Sequence, residues 1–197
     1  MHTAGFHTSD EPSSPANIEL RRPVYIGCEG ASEVGYAGFL QDLIRDANLP
    51  VHLHVDELGP GTGDPLSRIE MAVLRLKLLQ RKRRAPAERF ALLDFDQAER
   101  DPQRAERTRK LAADNGITIL WQRPCFEAML LRHLEGKAAN RPPDTPGAVK
   151  ALEKEWPEYK KPMTRANLAR RINRDAVLRA AGVEAELQAL LRSIGVL

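Results

Sequence analysis

A mainly parallel four-stranded sheet, covered by helices on both faces, is the α/β fold class that the sequence predicts. Three observations predict it. Residues 24–28, 90–93 and 117–121 are apolar runs without helical spacing. Residues 51–55 alternate strictly between apolar and polar. The intervals between these runs carry apolar residues at three- and four-residue spacing. Strand–helix alternation builds a parallel sheet because each parallel crossover needs a long connection.

The elements follow in order. Residues 1–22 are polar, with prolines and several Ser and Thr, and are expected to form a disordered arm. Val24, Tyr25, Ile26, Gly27 and Cys28 read as a buried strand. Tyr36, Phe39, Leu40, Leu43, Ile44 and Ala47 mark one face of a helix that stops near Asn48 and Pro50. Val51, Leu53 and Val55 lie opposite His52 and His54, as in a strand near a sheet edge. Residues 59–63 form a Gly-rich loop, after which Asp64 caps a helix with Pro65 in its first turn. Leu66, Ile69, Val73 and Leu76 give that helix its buried stripe. Phe90 to Leu93 form a third strand, closed by Asp94-Phe95-Asp96. A charged helix is expected over 98–114, stopped by Asn115-Gly116. A fourth strand covers 117–121, and Pro124 opens a helix with Phe126, Met129, Leu130, His133 and Leu134 inward and Gly136 past its end. The α/β domain is therefore placed at 23–147, and a C-terminal segment of two or three helices at 148–197.

Composition narrows the function. A chain of 197 residues with 42% hydrophobic content can bury one core, and no apolar stretch approaches the roughly 20 residues of a membrane span. Two cysteines do not make a disulfide scaffold or a Cys-rich zinc module, and residues 1–17 lack the order of a signal peptide, so a cytoplasmic setting is expected. The formal charge of +3 is small, but its placement is uneven. Arg81, Lys82, Arg83 and Arg84 form one basic cluster; Lys160, Lys161, Arg165, Arg170, Arg171, Arg174 and Arg179 form a second stretch. Such stripes can track a phosphate backbone or can be solvated helix faces.

The chemistry is concentrated in acids. Ligands of parallel sheets bind beyond the carboxyl ends of the strands. Glu29 follows the first strand, and Asp94 and Asp96 follow the third, so all three are expected on one rim. An Asp-x-Asp run continuing a strand points both carboxylates to one side. Their repulsion is relieved by a divalent cation, and Mg²⁺ needs few protein oxygens because it keeps several waters. Bound beside a phosphodiester, the metal would polarise a phosphoryl oxygen, with Glu29 moving a proton or holding a second metal. The same Asp pair also suits a turn with a helix cap. Glu127 sits in the first helical turn after Pro124, where the helix dipole favours an acid, and could complete a metal site. His133 lies on an apolar face and reads as a core histidine, Cys28 and Cys125 as small buried fillers. His52 and His54 lack a third ligand, and the 59–63 loop lacks the Gly-Lys-Ser/Thr ending of a P-loop.

Three segments together are distinctive: Cys28-Glu29-Gly30 with Glu33, Leu93-Asp94-Phe95-Asp96, and Pro124-Cys125-Phe126-Glu127 with His133 six residues on. Their order and spacing resemble the RloB-like family over residues 23–175. The resemblance implies a Toprim-like fold with Mg²⁺ (Mn²⁺ as a substitute) held at Glu29, Asp94 and Asp96. It also implies a nuclease of bacterial phage defence, acting on DNA or RNA, with an ABC-type ATPase as a possible partner. Phe95, Gln97 and Arg123 depart from the family's usual residues. Two other readings compete: a non-catalytic nucleic-acid or ATPase-binding subunit with the same fold, and a phosphatase of the haloacid dehalogenase type. Gln97-Ala98, where the latter usually carries Gly-Thr, counts against it.

Overall fold

The computed structural model describes residues 21–59, 64–82 and 85–197. Most of the N-terminal arm, most of the Gly-rich loop, and Arg83 and Arg84 lie outside these residues. The first strand, β1 (Arg22–Cys28), begins at the last residue assigned to the arm. It is followed by α1 (Ala31–Asp46), β2 (Val51–Glu57), α2 (Pro65–Arg81), β3 (Glu88–Asp94), α3 (Asp96–Arg100), α4 (Pro102–Asp114) and β4 (Thr118–Gln122). Then come α5 (Phe126–His133), α6 (Thr145–Glu155), α7 (Arg165–Ala169), α8 (Arg174–Ala181) and α9 (Ala185–Ser193).

All four strands are parallel, in the order β2-β1-β3-β4. The expected edge position of the alternating strand is observed. Side-chain alternation assigns each strand to two cores. Val24, Ile26, Cys28, Phe90, Leu92 and Leu120 face α1, α5 and the C-terminal helices. Tyr25, Ala91, Leu93, Ile119 and Trp121 face α2 and α4. Burial of both faces explains why the central strands read as unbroken apolar runs. The C-terminal helices share the first core, since Leu152, Trp156, Leu168, Val177, Leu187 and Leu191 cluster with Ile26 and Tyr36.

Several expected boundaries move, each for a local reason. The charged helix of 98–114 is two helices, because Asp101 leaves helical geometry and its side chain caps α4 by accepting from the Arg104 N–H at 3.0 Å. Pro102 takes the first position of α4, where it needs no N–H partner. Helix α5 starts at Phe126 rather than Pro124, whose carbonyl is turned toward the end of β3. The segment after the Pro-rich loop forms four helices, beginning at Thr145 and separated by the side-chain caps of Thr164 and Asn173 and the extended Glu184.

The order reverses between β1 and β3: the chain leaves β1 toward α1 on one face and leaves β3 toward α3 and α4 on the other. The crevice outside the carboxyl ends at that point is where such sheets bind ligands. It is roofed by residues 160–163, which cross α1. The Met163 N–H donates to Ser32 Oγ at 3.1 Å. A Cβ on Gly35 would lie 1.9 Å from the Met163 carbonyl oxygen, so only glycine admits this crossing.

Gly35→Ala is expected to destabilise the chain by about 1–3 kcal/mol, the usual cost of overpacking. That exceeds the roughly 0.5–1 kcal/mol that alanine gains over glycine within a helix. At Gly38 the new methyl would meet Arg165 side-chain carbons at 3.6 Å, an ordinary contact, so Gly38→Ala is expected to be neutral or stabilising. Urea unfolding of the two variants checks this; equal stabilities would contradict the close crossing.

Candidate functional site

Glu29, Glu33 and Asp94 line one pocket of about 380 Å³ at the β1/β3 crevice, with Phe126 and Lys161. Hydrogen bonds place the acids. Glu29 Oε2 accepts from the Asp94 backbone N–H at 2.8 Å, joining the end of β1 to the end of β3. Asp94 Oδ1 accepts from the Phe126 N–H at 2.8 Å, joining β3 to the start of α5. The Pro124 carbonyl returns the link by accepting from the N–H groups of Phe95 (3.0 Å) and Asp96 (3.1 Å). Gln122, next to Asp94 across the β3–β4 ladder, bridges the acids. With its amide turned to satisfy both ends, its nitrogen donates to Asp94 Oδ1 at 3.0 Å and Glu33 Oε1 at 3.3 Å.

Their electrostatics follow from burial and from one another. Desolvation, with the charges of Glu29 and Glu33, pushes the Asp94 carboxyl from 3.8 up to about 9. Glu33 is only 6% exposed; desolvation, reinforced by Glu29 and Glu127, takes it to about 7. Glu29 is raised by desolvation, against the opposing Asp94 N–H and the Arg68 charge. Behind the pocket, Glu127 is wholly buried and ion-paired with Lys161, and it accepts from the Tyr159 hydroxyl at 2.6 Å. Burial works to raise Glu127, but these two partners outweigh it and hold the carboxyl below its ordinary range.

Asp96 does not line the pocket. Phe95 has helical dihedrals (φ −86°, ψ −22°), so the two-residue strand period ends at Asp94 and does not reach Asp96. Asp96 instead opens α3 and accepts from Thr145 Oγ1 at 3.2 Å, though its charge still acts on Glu29. Glu33 takes its place; its position in the first turn of α1, four residues after Glu29, is the signal that could have identified it. Phe95 and Arg123 are in contact: the Arg123 guanidinium lies 3.5 Å over the Phe95 ring, which packs edge-on to Trp121.

The remaining residues divide clearly. His133 is wholly buried between the Tyr36 hydroxyl and the Met129 carbonyl, both at 2.9 Å, and burial lowers it to about 4. Cys28 and Cys125 are free and buried, and desolvation raises both thiols. His54 lies 3.7 Å from Asp56, and His52 is exposed on the edge strand. Lys161 is turned to Glu127 at the pocket, while Lys160, Arg170 and Arg171 are exposed on the far side of the 160–163 crossing. Arg81 and Lys82 end α2, which runs back toward the amino ends of the strands, so they occupy the rim opposite the acids.

The donor set suits a hard cation in part. Among the described residues, no three His, Cys, Asp or Glu side chains are grouped as a ready metal cage. Mg²⁺ does not require one, since it is commonly held by one or two carboxylates with waters and substrate phosphates. Glu29 and Asp94 each place one carboxyl oxygen on a backbone N–H, and both residues line an acid-rich pocket. These residues fit a cation held by Glu29 and Asp94 with Glu33 beside them, not a closed set that includes Asp96. No protein-family model, curated protein or solved structure matches this chain.

An acid whose folded pKa is raised stabilises the fold when protonated. For Asp94 that contribution is complete below 3.8 and is lost as pH rises toward about 9. The expected outcome is a melting temperature that falls between pH 5 and 9 in the native chain and falls less steeply in Asp94→Asn. Thermal melts across that range check it; parallel curves would contradict the burial of this charge.

Proposed function

We propose that this protein is a Mg²⁺-dependent phosphodiester-cleaving enzyme acting on nucleic acid. The observation that carries the reading is the convergence of Glu29, Glu33 and Asp94 in one pocket at the switch point of the sheet. Structural ion-pair networks also perturb acids; here the Arg68 charge opposes the rise of Glu29 without cancelling it, and Lys161 in the pocket lining is ion-paired with Glu127.

Glu29 and Asp94 would hold the cation, with Glu33 at its side. A bound Mg²⁺ supplies charge to offset the negative charge that develops on a phosphoryl oxygen, and Mn²⁺ would serve the same donors. Glu33 exchanges a proton with the attacking or leaving oxygen; a carboxyl near 7 is matched to that task at neutral pH. Lys161 keeps Glu127 ionised and adds positive charge at the mouth. Gln122 orients Asp94 and Glu33 together. Asp96, bonded to Thr145, acts on Glu29 through its charge. The motif order that resembles the RloB-like family supports the same reading, together with the phage-defence setting and ATPase partner that the resemblance implies.

Purified protein incubated with plasmid DNA, single strands and total tRNA is expected to cleave at least one with Mg²⁺ or Mn²⁺ and none with EDTA. Glu29→Ala and Asp94→Ala are each expected to lower the rate about a hundredfold or more, as loss of a metal ligand or proton-transfer group does. Asp96→Ala is expected to cost less than either. Binding without cleavage under every metal condition would favour the non-catalytic subunit instead.

A further inference from the structure

On the other side of the 160–163 crossing from the acids lies a groove of about 740 Å³ between that segment and α7, lined by Trp156, Lys160, Asn167, Arg170 and Arg171 among others. Arg170 and Arg171 also wall a second cavity of about 400 Å³, which Arg179 and the end of α5 complete. Four cations thus follow one another along the surface, against two acids, Glu135 and Glu158, in the same walls. None of the four forms an ion pair among the described residues, though the Arg171 charge helps hold the nearby Glu155 carboxyl low. Arg171 and Arg179 donate to the backbone carbonyls of Glu155 and His133, which aims the guanidinium groups without removing their charge.

The crossing segment ties this groove to the acid pocket. Lys161 and Pro162 line the pocket, and their neighbours Lys160 and Met163 line the groove. Ser32 and Gly35 pin the segment to α1, so the two sites have a set relation. An acid pocket suited to a cation therefore adjoins, across four residues, a row of cations without ion-pair partners among the described residues, suited to anions. A phosphomonoester held in the pocket would leave the row unused. A strand with phosphates at regular intervals uses both, because successive charges continue past the one at the metal.

We propose that the groove lined by Lys160, Arg170 and Arg171 binds the phosphate backbone of a nucleic-acid strand whose neighbouring phosphodiester enters the Glu29/Asp94 pocket. The assignment rests on the cleavage reading above for the second half of that statement only. It makes the substrate a chain of several nucleotides rather than a mononucleotide. It also assigns binding to this face and not to Arg81 and Lys82 on the opposite rim.

Binding of fluorescein-labelled 12-mers to the full chain in EDTA tests the groove without cleavage. Single-stranded DNA, single-stranded RNA and duplex arms identify the strand. Lys160→Ala/Arg170→Ala is the informative variant, since both side chains are exposed and neither is bonded within the described residues, so the fold is expected to survive. At least tenfold weaker binding is expected, with the slope of log affinity against log salt lowered by about 1 to 2, because each phosphate contact contributes about 0.7 to 0.9. Unchanged affinity and slope in the double variant would overturn the proposal, as would tighter binding of polyglutamate than of any oligonucleotide, which would make the groove a protein-docking face. A chain that binds through the groove and cleaves nothing refutes only the nuclease reading; one that cleaves but is insensitive to the double substitution refutes only the groove.

Discussion

Asp94 ties three strand ends and a helix start into one corner. Its N–H is spent on Glu29, its carboxyl receives the Phe126 N–H, and the Pro124 carbonyl closes the loop onto the two residues that follow it. Backbone groups at the ends of strands have lost their ladder partners and must be satisfied locally. Here they are satisfied by side-chain carboxyls and a proline carbonyl, so the structural accounting of the sheet rim and the placement of the acids are the same event. The segments Glu29-Gly30, Asp94-Phe95-Asp96 and Pro124-Cys125-Phe126, separate in the chain, are joined by these bonds.

The arrangement carries an electrostatic cost. Four carboxyl groups approach one crevice, and one of them, Glu127, is neutralised by Lys161. The others respond by holding protons more tightly, Asp94 most of all. A protein that needed only a stable corner would do as well with asparagine or serine at these positions, since burying charge without a partner is unfavourable. Ligands of parallel sheets bind at the switch point, and oxygen donors there would suit a hard cation.

Much of this was legible in the sequence. The strands, their order of appearance, the Asp64 cap with Pro65, and the buried faces of α1 and α5 follow from periodicity and cap chemistry. The rim shared by Glu29 and Asp94 follows from the parallel sheet alone. Asp-Phe-Asp fits both a continued strand and a turn into a helix, and the letters alone do not choose; Phe95 takes helical dihedrals, so the alternation that would bring Asp96 beside Asp94 stops at the end of β3. Lys161 read as part of a basic stripe, yet its ammonium group belongs to Glu127, a contact between residues 34 positions apart that charge patterning does not reveal. The cluster at 81–84 read as a candidate phosphate track, but Arg81 and Lys82 lie at the far end of the strands, because a crossover helix always returns toward the amino ends.

The central claim is that this corner takes a divalent cation in exchange for protons. Mn²⁺ binding followed by electron paramagnetic resonance, from pH 6 to pH 9, tests it most directly. Cation and proton compete for the same oxygens, so a single saturable site is expected, with affinity that strengthens as pH rises and is lost when Glu29 and Asp94 are both replaced by alanine. Absence of saturable Mn²⁺ at every pH, or binding indifferent to that double replacement, would contradict the account.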